Sequence, residues 1–346
     1  LKLILLTTSA IALGMATWIA APELSDDQTA SITSPVADSS ETMIIGHADD
    51  EASATTDRST HSVVASSTAT DEDAPSVYVN DIAMPYDVWH AMVMPGEVLT
   101  VTTEQDMMVR VDGVRSTTTS TFHWTAPDTP GVHDMRITNG DGMERRLTVF
   151  VLQPLNGETV LDGYRIGTYP RNTPEGLIRL SQADMDAPIS PHFTIGQFIC
   201  KQQPGHWPKF LLVSANMMLR LEAVLQEMRG DELTTADSFF VMSGYRTPFY
   251  NTAIGSARLS RHMYGDAADI YPDVEGGDGV MDDLNADGLT TRADAEFLYD
   301  YASRLFTSSD HLPAGGIGAY GANAVHGPFV HIDGRGHFAR WGRDGS

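Results

Sequence analysis

An apolar run from Leu3 to Ala21, preceded by Lys2 and with Thr7, Thr8, Ser9 and Thr17 as its polar members, opens the chain. A basic start, an apolar stretch and small residues at Ala20 and Ala21 predict a signal peptide over residues 1–22. The same run is close to the length of a membrane anchor, which is the alternative. The pattern then changes to a polar one. Residues 23–75 hold ten Ser, eight Thr, twelve acids, a single base (Arg58) and no aromatic residue. Such a segment buries too little apolar surface to offset its ordering entropy, so a disordered acidic Ser/Thr-rich linker is expected.

From Ser76 onward short runs with partial alternation predict strands: Val98–Thr103, Met107–Val111, Thr121–Trp124, Met135–Ile137 and Leu147–Leu152. Asn139-Gly-Asp-Gly142 between the last two signals a hairpin, because Asn and Gly accept positive φ. Several short strands with Pro and Gly between them predict an all-β immunoglobulin-like sandwich over 76–156, with Trp124 in its core. Residues 157–346 mix the two periods. Met218, Leu221, Leu225 and Met228 line one helical face, and Ser238–Met242 reads as a buried strand leading into Ser243-Gly-Tyr-Arg246.

Length and charge narrow the field. The 346 residues suit two domains plus linkers, and one cysteine (Cys200) excludes a disulfide framework or a Cys-rich zinc module. The 46 acids against 22 bases, net −24, argue against a nucleic-acid partner and against attachment to anionic lipid through a basic patch. The membrane then enters only through the possible N-terminal anchor. Much of the acidity is local. It lies in the linker and in residues 273–300, which carry nine acids and one base.

Chemistry gathers in the C-terminal half. Ser260-Arg-His-Met-Tyr-Gly-Asp-Ala-Ala-Asp269 places His262 and Asp269 seven positions apart, and Phe329-Val-His-Ile-Asp333 adds His331 on a β-type run. Two imidazoles and one carboxylate are a catalytic zinc set, with the fourth position left for water. These stretches, with Phe240–Pro248, Asn251, Gly315-Gly-Ile-Gly318 and Ser190–Phe198, resemble the zinc D-Ala-D-Ala carboxypeptidases. That family includes vancomycin-resistance dipeptidases and phage L-alanyl-D-glutamate endolysins. The likeness covers roughly residues 188–343 and implies an α+β zinc metallopeptidase domain with an antiparallel sheet.

The resemblance also implies roles. His262, Asp269 and His331 would hold zinc; Arg246 would hold a substrate carbonyl or carboxylate; Ser260 would bond the substrate backbone or a ligand. It implies an exported hydrolase that cuts a peptide bond next to a D-amino acid in peptidoglycan stem peptides, as carboxypeptidase or endopeptidase. One position departs from the family. The acid that serves as general base three residues before the last His is here Pro328. Asp333 is the nearest substitute, since i and i+2 on a strand share a face, and it is equally suited to orienting an imidazole. His326 and His337 are weaker candidates, and His192 and His206 read as structural. The missing acid also leaves open a wall-binding or scaffold protein that keeps the fold without activity.

Asp283-Leu-Asn-Ala-Asp-Gly-Leu-Thr-Thr-Arg-Ala-Asp294 fits a twelve-residue calcium loop. Asp283, Asn285, Asp287, Leu289 (through its carbonyl), Thr291 and Asp294 take the ligand positions, and Gly288 takes the sharp turn. Asp at the last position resembles the dockerin version of this loop, although a dockerin has two copies. A structural calcium and an exiting helix over Ala295–Phe306 are therefore expected within the 273–300 insert, and Asp278–Asp282 is a looser acidic site.

Overall fold

A computed structural model describes residues 76–116, 118–140, 142–274 and 277–343. The expected leader (1–22) and acidic linker (23–75) lie outside the described residues. The protein is mostly β with few helices. Among the described residues no helix is long and apolar enough to cross a membrane.

The first part is a multi-sheet β domain built from β1 (Val77–Val79), β2 (Val88–Val93), β3 (Val98–Val111), β4 (Thr119–Thr125), β5 (Gly131–Thr138) and β6 (Glu144–Val151). The two runs expected at Val98–Thr103 and Met107–Val111 are one strand. Its first half pairs with β1 and β4 and its second half with β5, and the β4 pairing shifts register between Thr102 and Met107, where it ends on Thr119. That irregularity lets a single strand serve two pairings. Alternation along β3 buries Leu99, Val101, Met107 and Val109 while Glu104-Gln-Asp106 stay in solvent. β5 and β6 form the expected antiparallel hairpin, with Gly142 at φ +92° and the Asn139 side-chain oxygen accepting from Met143 N at 2.8 Å. β2 closes this side parallel to β6. The core tryptophan is Trp89; Trp124 is only half-buried against the core.

The second part follows without a break in the apolar interior. Gln153–Pro154 pairs with β7 (Gly176–Leu180), which pairs with β8 (Lys209–Leu211). Helix α1 (Ala215–Gly230) buries Met218, Leu221, Leu225 and Met228 completely, as its spacing predicts. The main sheet comprises β9 (Phe240–Ser243), β10 (Ala267–Tyr271), β11 (Gly316–Tyr320), β12 (Phe329–Asp333) and β13 (Ala339–Trp341). Its order is β9-β10-β12-β11-β13. The first four strands are antiparallel, as expected. β13 is parallel to β11, so the sheet is mixed at that edge. β9 is also an edge strand. It is not the buried one expected, for Phe240 is 36% exposed and stacks on Tyr271 while Phe239 is buried.

Strand alternation divides the sheet into two faces. Ala268, Ile270, Ile317, Ala319, Val330 and Ile332 are buried on one face, against α1 and helix α2 (Arg292–Ser308). Asp269, His331, Asp333, Gly316 and Gly318 fall on the other. The apolar face builds the core, and the other face gathers the buried polar groups.

Candidate metal centre

Strand register brings the first two groups together. Asp269 on β10 lies opposite His331 on β12, which lies opposite Gly318 on β11. A carboxylate and an imidazole therefore stand side by side. The third group comes from a one-turn helix, Arg261–Tyr264, which Gly265 ends at φ +64°. A Cβ at Gly265 would run into the Leu212 backbone, so glycine alone lets the chain turn back into β10. That turn carries His262 over Asp269.

The ring nitrogens are assigned by their partners. His262 Nδ1–H donates to Gly244 O at 2.7 Å, which leaves Nε2 facing the site. His331 Nε2–H donates to Asp333 Oδ2 at 3.1 Å, which turns Nδ1 inward. The three inward atoms are His262 Nε2, Asp269 Oδ1 and His331 Nδ1. Their separations are 3.3 Å from His262 to Asp269, 3.3 Å from His262 to His331 and 2.8 Å from His331 to Asp269. Zinc bonds of about 2.0–2.1 Å at a tetrahedral angle put neighbouring donors about 3.3 Å apart. Two separations match that figure, and the third is a hydrogen bond that a metal would replace. The residues thus fit zinc, and this cluster could hold a metal ion. All three are buried, at 3%, 3% and 8% exposure.

Burial and charge act against each other here. Burial would raise the Asp269 carboxyl, but the two imidazoles beside it hold it well below the usual carboxylate range. Burial lowers His262, and Asp269 only partly offsets this. Burial would lower His331 too, but hydrogen bonds to Asp269 and Asp333 leave it raised. A carboxylate kept ionised between two imidazoles is a donor set ready for a cation.

Other expected residues fall into place unevenly. Arg246 is in the cluster, but its guanidinium holds Asp269 Oδ2 at 2.5 Å, with Nε on Ser243 Oγ at 2.8 Å. It braces a candidate ligand directly. Ser260 is half-buried at the start of the His262 turn, and its hydroxyl makes no cap hydrogen bond. Asp333 is fully buried and shares the face of His331, as its spacing predicts. Its oxygens accept from His331, from Gly316 N at 2.8 Å and from Arg335 Nε at 2.8 and 3.0 Å. Burial would raise this carboxyl, but these bonds hold it far below the ordinary range. With its oxygens held by these bonds, Asp333 is placed for the orienting role of the two open to it.

His326 packs edge-on against Phe329, with ring centroids 4.9 Å apart. Its Nδ1 donates to Gly327 O at 2.8 Å, so Nε2 is the acceptor, at 2.7 Å from the Asn323 amide. His337 is exposed, away from the cluster. His192 and His206 are structural, bonded to Glu222 and to Asp162 O. Sequence reasoning missed Arg335 and Trp341, whose indole lies 5.2 Å from the His331 ring. The glycines of Gly315-Gly-Ile-Gly318 were the available signal. A Cβ on Gly316 would enter the Asp333 carboxylate, and one on Gly318 would enter the Trp341 indole.

The calcium-type loop is differently arranged. Asp283 accepts from Asp287 N (3.2 Å) and Gly288 N (2.6 Å), Asn285 from Asp287 N (2.9 Å), and Asp287 from Leu289 N (2.9 Å). Gly288 takes the turn at φ +86°. Thr291 caps α2, which starts at Arg292 and so earlier than expected. Buried Asp294 completes that capping box and accepts from Thr291 N (2.7 Å), Leu284 N (2.9 Å) and Asn285 N (3.2 Å). Among the described residues, only His262, Asp269 and His331 form a group of three His, Cys, Asp or Glu with ligand atoms within 4.8 Å.

With the geometry in place, comparison with known families adds a match. Residues 191–279 match the Peptidase M15 family. The M15 match spans His262 and Asp269 and lies in the C-terminal half, as the resemblance to zinc D-Ala-D-Ala carboxypeptidases predicts. M15 peptidases are zinc-dependent hydrolases, which agrees with the donor set. No curated protein matches the chain. Among solved structures it shows a slight likeness to a calcium-binding mutant of Bacteroides uniformis beta-glucuronidase 2, with 10% identity over 32% of this chain and 17% of that one, TM-score 0.15. Another is the Bacteroides ovatus mixed-linkage glucan utilization locus protein SGBP-B, with 14% identity over 30% and 33%, TM-score 0.15. The chain thus spans a third or less of each.

Proposed function

We propose that the protein is an exported zinc peptidase that hydrolyses a peptide bond next to a D-amino acid in peptidoglycan stem peptides. One observation carries this reading: three buried, inward-facing donor atoms, two of their three separations at zinc spacing, in the half that holds the M15 match. Export rests on the apolar leader alone.

In this reading His262 Nε2, Asp269 Oδ1 and His331 Nδ1 hold the zinc. Bound there, zinc supplies a Lewis acid and brings a water's pKa down toward neutrality. Arg246 keeps Asp269 aimed with one arm of its guanidinium and offers remaining donors to a substrate carbonyl or carboxylate. Ser260, with no cap bond, is placed to meet the substrate backbone. His326, whose Nδ1 donates to Gly327 O and whose Nε2 accepts from the Asn323 amide, would have to release that bond to serve as the base, and is the weaker candidate for it. Asp333 orients His331.

Digestion of purified muropeptides with and without a zinc chelator tests this. Chelatable release of a D-amino acid or a shortened stem supports it, and release that persists after full zinc removal overturns it. Pro328 and the engaged Asp333 favour a second reading, a wall-binding protein without activity. That reading predicts no product in either arm, with retention on insoluble peptidoglycan. A structural calcium in the insert rests on the twelve-residue ligand spacing alone, and it would have to replace the turn bonds that Asp283, Asn285 and Asp287 make. The continuous strand shared by both halves of the β domain supports an immunoglobulin-like sandwich.

A further inference from the structure

Asp333 is itself held in place. Arg335, two residues on, meets both of its oxygens: Nε lies 2.8 Å from Oδ1 and 3.0 Å from Oδ2, and Nη2 lies 2.5 Å from Oδ2. The Arg335 backbone N–H adds a bond to Oδ1 at 3.2 Å. A fork of this kind fixes the carboxylate plane as well as its position, which a lysine ammonium does not do. The guanidinium is fixed in turn, with its carbon 5.1 Å from the centre of the Trp341 ring. Trp341 donates Nε1–H to Tyr320 OH at 2.7 Å and occupies the space that Gly318 leaves bare. The path from indole to guanidinium to carboxylate ends on His331 Nε2 at 3.1 Å.

We propose that Arg335 is a positioning residue for the metal centre: by clamping Asp333 in a fork, it keeps the His331 ring turned with Nδ1 toward His262 and Asp269. The inference rests on the metal-centre reading above and adds to it a residue that touches neither metal nor substrate. The reason is geometric. His331 can rotate about its side-chain bonds, and the bond from Nε2–H to a fixed carboxylate is what selects one ring orientation and one tautomer. Without the fork, Asp333 keeps only Gly316 N and the Arg335 backbone as anchors.

Zinc affinity of the full chain, measured by competition against a chelating dye, tests this without reference to activity. Arg335→Met is expected to bind zinc about 10–100-fold more weakly than wild type. Arg335→Lys, which keeps the charge but not the fork, is expected in between, and it carries the test if Arg335→Met does not fold. Asp333→Asn should weaken binding by a similar factor, and adding Arg335→Met to it should cause no further loss, since the arginine acts through that carboxylate. A residue that only stabilised the fold would leave the affinity of folded protein unchanged and show no such dependence. Tight wild-type binding that Arg335→Met and Arg335→Lys leave within twofold overturns the inference alone. A wild-type protein that takes up no zinc overturns the metal-centre reading and this inference with it.

Discussion

Two ligand-like clusters in one half of the molecule, the His262–Asp269–His331 group and the Asp283–Asp294 loop, are built in opposite ways. In the first, each donor comes from a different element, and each inward atom is turned by an outward hydrogen bond: His262 by Gly244 O, His331 by Asp333, Asp269 by Arg246. In the second, neighbours in sequence supply the oxygens, and those oxygens are satisfied by the loop's own N–H groups. The first arrangement leaves a polar gap that needs a cation or protons to close it. The second already satisfies its carboxylates locally, so an ion there competes with turn and cap bonds that exist without it. Preorganisation for a metal therefore comes from long-range packing here, and resemblance in spacing alone does not secure it.

Breaking the first cluster should have the largest effect. His262→Ala is expected to remove bound zinc and to lower muropeptide cleavage by roughly a thousandfold or more, read by metal analysis alongside product release. Full activity in that variant ends the assignment. His326→Gln should keep zinc, and if this imidazole serves as the base it should lower kcat by about 100- to 10,000-fold, the range for loss of a proton acceptor. Equal kcat in the two proteins would return the base to another group.

Smaller effects sharpen the contrast. Asp294→Ala should destabilise the fold by about 1–3 kcal/mol in denaturant melts whether or not calcium is present, because it strips buried N–H groups of their acceptor. A loss seen only with calcium would show that the ion, not the cap, is its main partner. Two glycines separate space from backbone angle. Gly318→Ala should cost about 1–3 kcal/mol through the displaced Trp341 indole. Gly288→Ala, with open space around it but φ +86°, should cost about 1–2 kcal/mol from conformation alone. If calcium orders this turn, the Gly288→Ala melt should become more calcium-dependent than wild type.

The three candidate ligands were legible in the sequence because each sits in a short stretch whose residue types carry the chemistry locally. What no local pattern contains is the direction of a side chain. The two-residue spacing places Asp333 on the His331 face, but it does not show that Arg335 and Gly316 N engage its oxygens there. Arg246 likewise reads as a substrate contact alone until Asp269 is seen against one arm of its guanidinium. In the fold, the helix at Met218–Met228 was plain from its period. The single strand Val98–Val111 was not, because exposed Glu104-Gln-Asp106 interrupts the apolar alternation while the backbone stays extended. The parallel edge β13 was equally hidden, since three residues carry no register of their own.

The unbroken interior between the β domain and the half that holds the candidate metal centre bears on how the protein can be dissected. Trp89, Val93 and Val151 belong to the same buried cluster as Ile189, Phe193 and Leu211. Thr148 and His90 bond to the carbonyls of Pro188 and Ile189 at 2.6 and 2.8 Å. A chain begun at residue 157 would keep every candidate ligand and yet lose the wall against which their support is assembled. Inactivity of such a fragment would then report a missing half of the scaffold and say nothing against the chemistry. The β domain is better regarded as part of the metal centre's frame than as an appendage to it.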